Sequence, residues 1–401
     1  MERQAERAYD IVLFGATGFT GGLAAEYLAR NAPQGCRWAV AGRSRVKLEA
    51  LRERLGLPEL PLLVADSADA KALGEVAGSA RVVVTTVGPY LEHGEPLVAA
   101  CAAAGTDYVD LTGEPEFVDL MYARHHATAV ASGARMLHAC GFDSVPHDLG
   151  ALYTVTELAR RQGKLDGPVA VQGFVRAGGT ISGGTLASAL LAFSRPRQMG
   201  RAASARRAVE ERPAGRKVGG RMSGPRWSKD AHAWVVPMPT IDPQVVLRSA
   251  AALPEYGPDF SYGHYAAVKR LPIMVGGLLG VVGVALGAQV PPVRRGITRL
   301  RPSGAGPDAA TRAKSWFTVR FVGESGGVRI HTEVSGGDPG YGETAKMLVE
   351  TALCLAHDEL PETAGQLTTA AACGTALIDR LVAAGIRFRV LDAPPTAAPG
   401  R

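Results

Sequence analysis

The sequence predicts an α/β protein, with an N-terminal Rossmann-type parallel sheet and a second α/β (α+β) domain for substrate. Three observations predict it. Short apolar runs alternate with amphipathic stretches from Asp10 to about Asp148, the pattern of parallel βαβ units. A glycine-rich turn joins the first run to the first amphipathic stretch. Beyond Gly150 the pattern changes, and two alternating runs meet at Gly326-Gly327 as an antiparallel pair.

The first element is the buried strand Ile11–Phe14. It runs into Gly15-Ala-Thr17-Gly18-Phe19-Thr20-Gly21, and the amphipathic stretch Leu23–Arg30 follows as a helix. Gly15 permits a tight turn, Gly18 lets backbone approach a pyrophosphate, and Gly21 lets helix and sheet pack closely. Free N–H groups and the dipole at the helix N-terminus favour the negative charge. Residues Gly15 to Gly21, with Thr17, Phe19 and Thr20 among them, are therefore the expected dinucleotide cradle. The second strand, Trp38–Gly42, ends in Arg43-Ser44. No acid lies between Val40 and Lys47 to hold a ribose 2′-hydroxyl. The Arg43 fork and the Ser44 hydroxyl suit a 2′-phosphate instead, so the expected cofactor is NADP(H).

Four further strands follow: Leu60–Ala65, Arg81–Val87, Tyr108–Leu111 and Arg135–Cys140. Helical stretches Val46–Leu55, Leu97–Ala104 and Phe117–Ala131 fall between strands. Asp66 sits past the third strand at the adenine edge. Gly88 and Pro89 end the fourth, where the chain must pass close to the cofactor. In the second half, Val169–Val175 reads as a strand. Ser315–Gly323 and Val328–Ser335 form the hairpin, Tyr341 to His357 and Ile378–Ala384 are helical, and Phe388–Leu391 is a last strand. The expected division is 1–148 for the nucleotide and 149–370 for substrate, with 371–401 returning to the first domain. Within the second part, 195–229 reads as a basic, irregular excursion. Leu271–Val293 is uncharged between Lys269-Arg270 and Arg294-Arg295. Its glycines and Pro291-Pro292 favour a buried or amphiphile-facing helix over a membrane span.

Net charge is +6, and the five cysteines are scattered with no C-x-x-C. That fits a reducing cytoplasm and argues against a disulfide framework or a structural zinc site. The N-terminus is polar before the first strand, so no signal peptide is expected. The basic excursion has Trp227 as its one aromatic and no nucleic-acid motif, so nucleic acid is not an expected partner. A solvated basic loop is the plain expectation for it, and a docking surface for an acidic carrier protein is the sharper one.

Val87-Gly-Pro-Tyr-Leu-Glu-His-Gly-Glu-Pro, Tyr108-Val-Asp-Leu-Thr-Gly-Glu-Pro and Cys140-Gly-Phe-Asp-Ser-Val-Pro-His-Asp-Leu-Gly resemble the saccharopine dehydrogenase-like reductases. Asp338-Pro-Gly-Tyr341 is similar to the trans-acting enoyl reductase branch, whose members serve polyketide synthases lacking a working reductase domain. The resemblance covers Asp10 to about Leu391. It implies an NADP-binding Rossmann domain and a second domain carrying the substrate site. The surfaces Gly178–Phe193 and Leu271–Leu286 are glycine-rich and apolar. They fit an acyl chain better than an amino-acid zwitterion.

Strand ends in an open α/β sheet carry the ligand. Tyr90, His93, Glu114, Asp143 and His147 all follow such ends. Tyr90 is a candidate to give a proton or hydrogen bond to a thioester-enolate oxygen, or else a packing ring. Asp143 is an acid candidate or an N-cap. His147 is a further acid candidate. No metal site is expected. The expected function is NADP(H)-dependent reduction of an activated C=C bond in a lipid or polyketide acyl thioester. The alternatives are a saccharopine-type imine or amino-acid oxidoreductase, and a non-catalytic NADP-binding scaffold associated with lipid. The expected location is cytoplasmic with room for peripheral membrane contact, and a homodimer stays open.

Overall fold

The computed structural model describes residues 7–179, 191, 194–211, 213–238, 240–289 and 306–400. In the first half, β1 (Tyr9–Phe14) leads through the glycine turn into α1 (Phe19–Asn31). Then come β2 (Trp38–Gly42), α2 (Arg45–Leu55), β3 (Leu62–Val64), α3 (Ala70–Ser79) and β4 (Ala80–Thr85). The single turn α4 (Tyr90–His93) precedes α5 (Glu95–Ala104), β5 (Asp107–Asp110), α6 (Pro115–Ser132), β6 (Arg135–Leu137) and α7 (Val145–Gln162). The second half runs β7 (Pro168–Gly178), α8 (Pro196–Val209), β8 (Lys217–Gly220), β9 (Arg226–Ser228), β10 (Ala233–Pro237) and α9 (Asp242–Ala252). It continues with β11 (Asp259–Val268), α10 (Leu271–Ala288), α11 (Ala309–Lys314), β12 (Trp316–Ser325), β13 (Val328–Gly336) and α12 (Gly342–His357). Last come β14 (Gly365–Leu367), α13 (Thr369–Ala383) and β15 (Arg387–Val390).

Two sheets result. The first is parallel, in the order β14-β6-β5-β4-β1-β2-β3. Its central strands carry unbroken apolar runs because helices cover both faces. The second is mixed, in the order β15-β13-β12-β7-β11-β10-β9, with β8 also paired to β11. The hairpin turns at Gly326-Gly327, with Ser325 opposite Val328. Thus the expected Rossmann sheet and second α/β domain are both present.

The return of the chain to the first sheet begins before residue 371. Helix α12 packs on α1 and β4, and Tyr27 donates to Glu350 across that contact at 2.7 Å. β14 then joins β6, whereas β15 pairs with β13 in the second sheet. The closing residues lie along the second sheet, where Thr318 and Arg176 donate to the carbonyls of Gly400 and Pro399.

Residues 195–229 are not irregular. They form α8, β8 and β9 among the described residues. Two of their arginines are anchors: Arg195 pairs with Glu116 at 2.8 Å and Arg206 with Asp119 at 2.6 Å, both acids lying on α6. The expected helix at 271–293 is α10, but it is not buried. Ile273, Leu279 and Leu286 are 60%, 67% and 66% exposed. Val290–Val293 lie outside the described residues, as does Gly178–Phe193 apart from Gly178, Gly179 and Leu191. Among the described residues no helix is long and apolar enough to cross a membrane.

Candidate active site

The glycine turn is built for contact with something other than side chains. Gly15 has φ +84°, and a Cβ there would lie 2.6 Å from Val87 Cγ2. A Cβ on Gly21 would lie 2.2 Å from the Gly15 carbonyl oxygen. Gly18 is the N-cap of α1 and supplies no side chain to its first N–H groups. Those groups are left for an anion. Thr17 and Gly18 are exposed beside them, and Phe19 and Thr20 are half-buried. The cradle therefore fits a pyrophosphate.

Phe19 does more than fill the turn. Its ring meets Tyr341 edge-on at 4.9 Å, and the Arg312 guanidinium lies 5.7 Å from its centroid. Residues of α11 and the Asp338–Tyr341 turn thus border the nucleotide cradle. A cleft of about 550 Å³ opens there between Arg312, Trp316, Asp338 and Arg387. A second cleft of about 530 Å³, lined by Tyr9, Cys36 and Trp38, lies at the amino ends of β1 and β2, the edge where such sheets do not bind ligands.

Arg43 is exposed and makes no hydrogen bond or ion pair among the described residues. Ser44 is the N-cap of α2, where its hydroxyl accepts from Lys47 N at 3.5 Å. Asp66 is exposed, and its Oδ1 accepts from Ala68 N at 2.9 Å to close a turn. Gly88 is exposed and Pro89 half-buried at the end of β4, leading directly into α4.

Tyr90 is placed in the core. Its hydroxyl donates to the Thr85 carbonyl and accepts from Leu111 N, each at 3.2 Å. Burial, then the Asp110 charge, pushes the phenol well above its ordinary value. That geometry braces the ends of β4 and β5 and leaves the hydroxyl no proton to spare. Glu114 is likewise occupied, accepting from Tyr90 N and Leu91 N at 3.2 and 2.9 Å. His125 faces Glu95, and His126 accepts from Gln366 N.

The convergence of titratable groups lies at the start of α7. Asp143 precedes the N-cap Ser144 and caps nothing, since no side chain caps this helix. It is partly exposed and has no hydrogen bond among the described residues. Burial, then the negative charge of Asp242, raises its carboxyl to about 6, with His147 opposing. His147, three residues into α7, lies with Nδ1 2.8 Å from Asp242 Oδ1. Asp242 opens α9, and its other oxygen is 3.5 Å from His264 Nε2 on β11. Burial opposes ionisation of Asp242, but His147 and His264 together hold it below the ordinary carboxylate value. Burial lowers His264 to about 4, so it is neutral near neutral pH. Tyr262 meets its Nδ1 at 3.2 Å.

His147, Asp242 and His264 bring ligand atoms within 4.8 Å of one another, close enough to share a cation. Yet the cluster sits at the positive N-termini of α7 and α9, which favour the carboxylate and oppose a metal ion. The dipoles support a charged Asp242 carboxylate held between two imidazoles. Phe142 packs on His147 and on Phe317 at ring distances of 5.6 and 5.0 Å, making an apolar wall beside the acids. Asp242 and His264 have no signal in the sequence, because they stand 95 and 117 residues beyond His147 and meet it only through the fold.

A profile of the saccharopine dehydrogenase NADP binding domain matches residues 11–138. A Mycobacterium tuberculosis protein provisionally designated a trans-acting enoyl reductase is 40% identical, over 96% of this chain and 97% of its own length. The trans-acting enoyl reductase of Mycobacterium leprae is 36% identical, over 95% and 97%. Among solved structures, saccharopine dehydrogenase (L-Glu forming) from Saccharomyces cerevisiae has the same fold. Its TM-score is 0.54 at 14% identity, covering 96% of this chain and 100% of that one.

Proposed function

This chain belongs to the trans-acting enoyl reductases, a saccharopine dehydrogenase-like family, and from that premise we propose how its site works. The protein is an NADP(H)-dependent oxidoreductase. Its substrate in this reading is the enoyl thioester of a lipid or polyketide chain presented on a carrier. Residues 1–148 bind the nucleotide, with α12 packed on their sheet and β14 joined to it; β7 to β13 present the substrate, and β15 closes that second sheet. Arg197, Arg201 and Arg207, exposed on α8, are the cations offered to an acidic carrier.

When bound, the dinucleotide supplies the hydride for the β-carbon. The task of this chain is to hold both partners and return a proton to the α-carbon. Gly15, Gly18 and Gly21 admit the pyrophosphate, with Thr17, Phe19 and Thr20 around it. Arg43 and Ser44 face the 2′-phosphate, with Asp66 at the adenine edge, and Gly88-Pro89 passes beside the cofactor. Phe142, half-buried and backed by the buried Phe317, receives the apolar acyl portion. Asp143 gives its proton to the α-carbon of the enolate and regains one from solvent through its exposed side.

One observation carries this assignment: two neighbouring carboxylates at the starts of α7 and α9 are pushed apart, Asp143 up to about 6 and Asp242 down. Such splitting marks a proton-holding acid beside a permanently charged partner. His147 and Asp242 act through Asp143 as positioning groups, and Tyr90 acts as a brace.

Steady-state pH profiles test it. kcat/KM on an enoyl thioester should fall as pH rises through about 6, because Asp143 then loses the proton it must give. Asp143→Asn should lower kcat about 10²-fold with NADPH affinity level. Asp242→Asn removes the charge that disfavours Asp143 ionisation, so the falling limb should move to lower pH. A profile unchanged in Asp143→Asn assigns the proton elsewhere.

A further inference from the structure

Helix α10 leaves the second sheet and stands in the open. Ile273, Val275, Leu279, Val281 and Leu286 are all exposed. At 100° per residue they spread over about two-thirds of the helix circumference. Gly276, Gly277, Gly280 and Gly283 would accept a Cβ with nothing within 4 Å. Among the described residues, the exposed apolar side chains do not gather on one flat face as a second subunit would need. A surface this apolar on several sides is covered fully only by a fluid apolar medium.

The surroundings have the composition of a membrane interface. Val268, the last residue of β11, pairs across the sheet with Trp234, and Trp234 pairs with Trp227. Trp227 is 46% exposed. Lys269 and Arg270, both exposed, come next, and exposed Lys229 lies in the turn after β9. The nearby acid Asp230 is neutralised by Arg329 at 2.7 Å. Tryptophan and cations ringing an apolar element match the headgroup layer of an anionic bilayer.

Topology decides between lying in the surface and crossing it. β11 runs parallel to β7 and β12 antiparallel to it. The excursion therefore departs after Val268 and returns at Trp316 at one end of one sheet. If α10 crossed, the returning sequence would carry Arg294, Arg295, Arg299 and Arg301 back through hydrocarbon. The same sheet end holds Phe317, so it adjoins the proposed acyl wall.

We propose that α10, with the Trp227–Trp234–Lys269–Arg270 rim, docks this protein peripherally on an anionic lipid surface without spanning it. The proposal is independent of the reductase reading, because turnover of a short, water-soluble enoyl thioester tests that reading without lipid.

Sedimentation of the full chain with vesicles tests it. One set is phosphatidylcholine alone, the other phosphatidylcholine with 30 mol% phosphatidylglycerol. The protein should pellet with the anionic set, and high salt or Lys269→Glu with Arg270→Glu should cut the bound fraction about tenfold or more. Leu279→Asp should abolish binding, and its NADPH affinity should stay level, since the side chain is exposed. Alkaline carbonate should release the wild-type protein. Three results overturn the proposal: no binding to either set, binding untouched by Leu279→Asp, or resistance to carbonate. A dimer that Leu279→Asp turns into a monomer, with wild type ignoring vesicles, makes α10 a subunit interface and also overturns it.

Discussion

Two glycine-rich helices of this protein use the same residue in opposite ways. At the start of α1, a Cβ on Gly21 would meet the Gly15 carbonyl at 2.2 Å. Along α10, a Cβ on Gly280 would meet nothing within 4 Å. In the first, glycine is required by close packing around a ligand cradle. In the second, it relieves no crowding, and it weakens the helix by about 1 kcal/mol per residue relative to alanine. The contrast separates a helix held by the protein from a helix whose environment must supply the stability. It also explains why a glycine count says little: the neighbouring backbone decides what the residue means.

The sharpest way to break the contrast is Gly21→Ala. The added methyl cannot fit without moving both the Gly15 carbonyl and the Thr86 hydroxyl, which is 2.8 Å from it. NADPH affinity, read by fluorescence titration, should fall about a hundredfold, the upper end of an overpacking penalty. A melting curve measured alongside separates loss of the cradle from loss of the fold. Unchanged affinity would mean that the turn does not touch the cofactor.

The next effect is smaller and sharpens what the cradle reads. Arg43 is exposed, with no partner among the described residues to hold it elsewhere. Its charge-assisted contact with a 2′-phosphate is worth about 1.5–3 kcal/mol, so NADPH should bind at least about tenfold tighter than NADH. Arg43→Ala should remove most of that gap and leave NADH affinity where it was. Equal binding of both cofactors by the wild type would place the 2′-phosphate contact on another residue.

The first half of the chain was legible because its signals are local. Trp38–Gly42 is the strand read from the apolar run, and Tyr9–Phe14 extends the expected Ile11–Phe14 by two residues. The β12–β13 hairpin followed from alternation and from Gly326-Gly327. Helix α8 was not legible, because it docks on α6 through Arg195–Glu116 and Arg206–Asp119 and carries no apolar stripe. Nor were Asp242 and His264, whose meaning arises only where α7, α9 and β11 meet. Tyr90 stood at a strand end with a usable hydroxyl. Only the fold shows that hydroxyl bonded to Thr85 and Leu111.

The smallest predicted effect falls on α10 itself. Gly280→Ala adds a methyl to open space and removes the entropic weakness of glycine in a helix. Helicity of the free protein by circular dichroism should rise slightly, and stability of the helix by at most about 1 kcal/mol. The global melting temperature should move by no more than about a degree or two, because α10 has few contacts with either sheet to pass the gain on. NADPH affinity should not change. Binding to anionic vesicles should stay level or rise, since a preordered helix loses less entropy on docking. Lower stability or weaker NADPH binding would show that α10 is packed against the core or coupled to the cradle. The two helices would then differ in degree only, and the open helix would lose its reason to seek lipid.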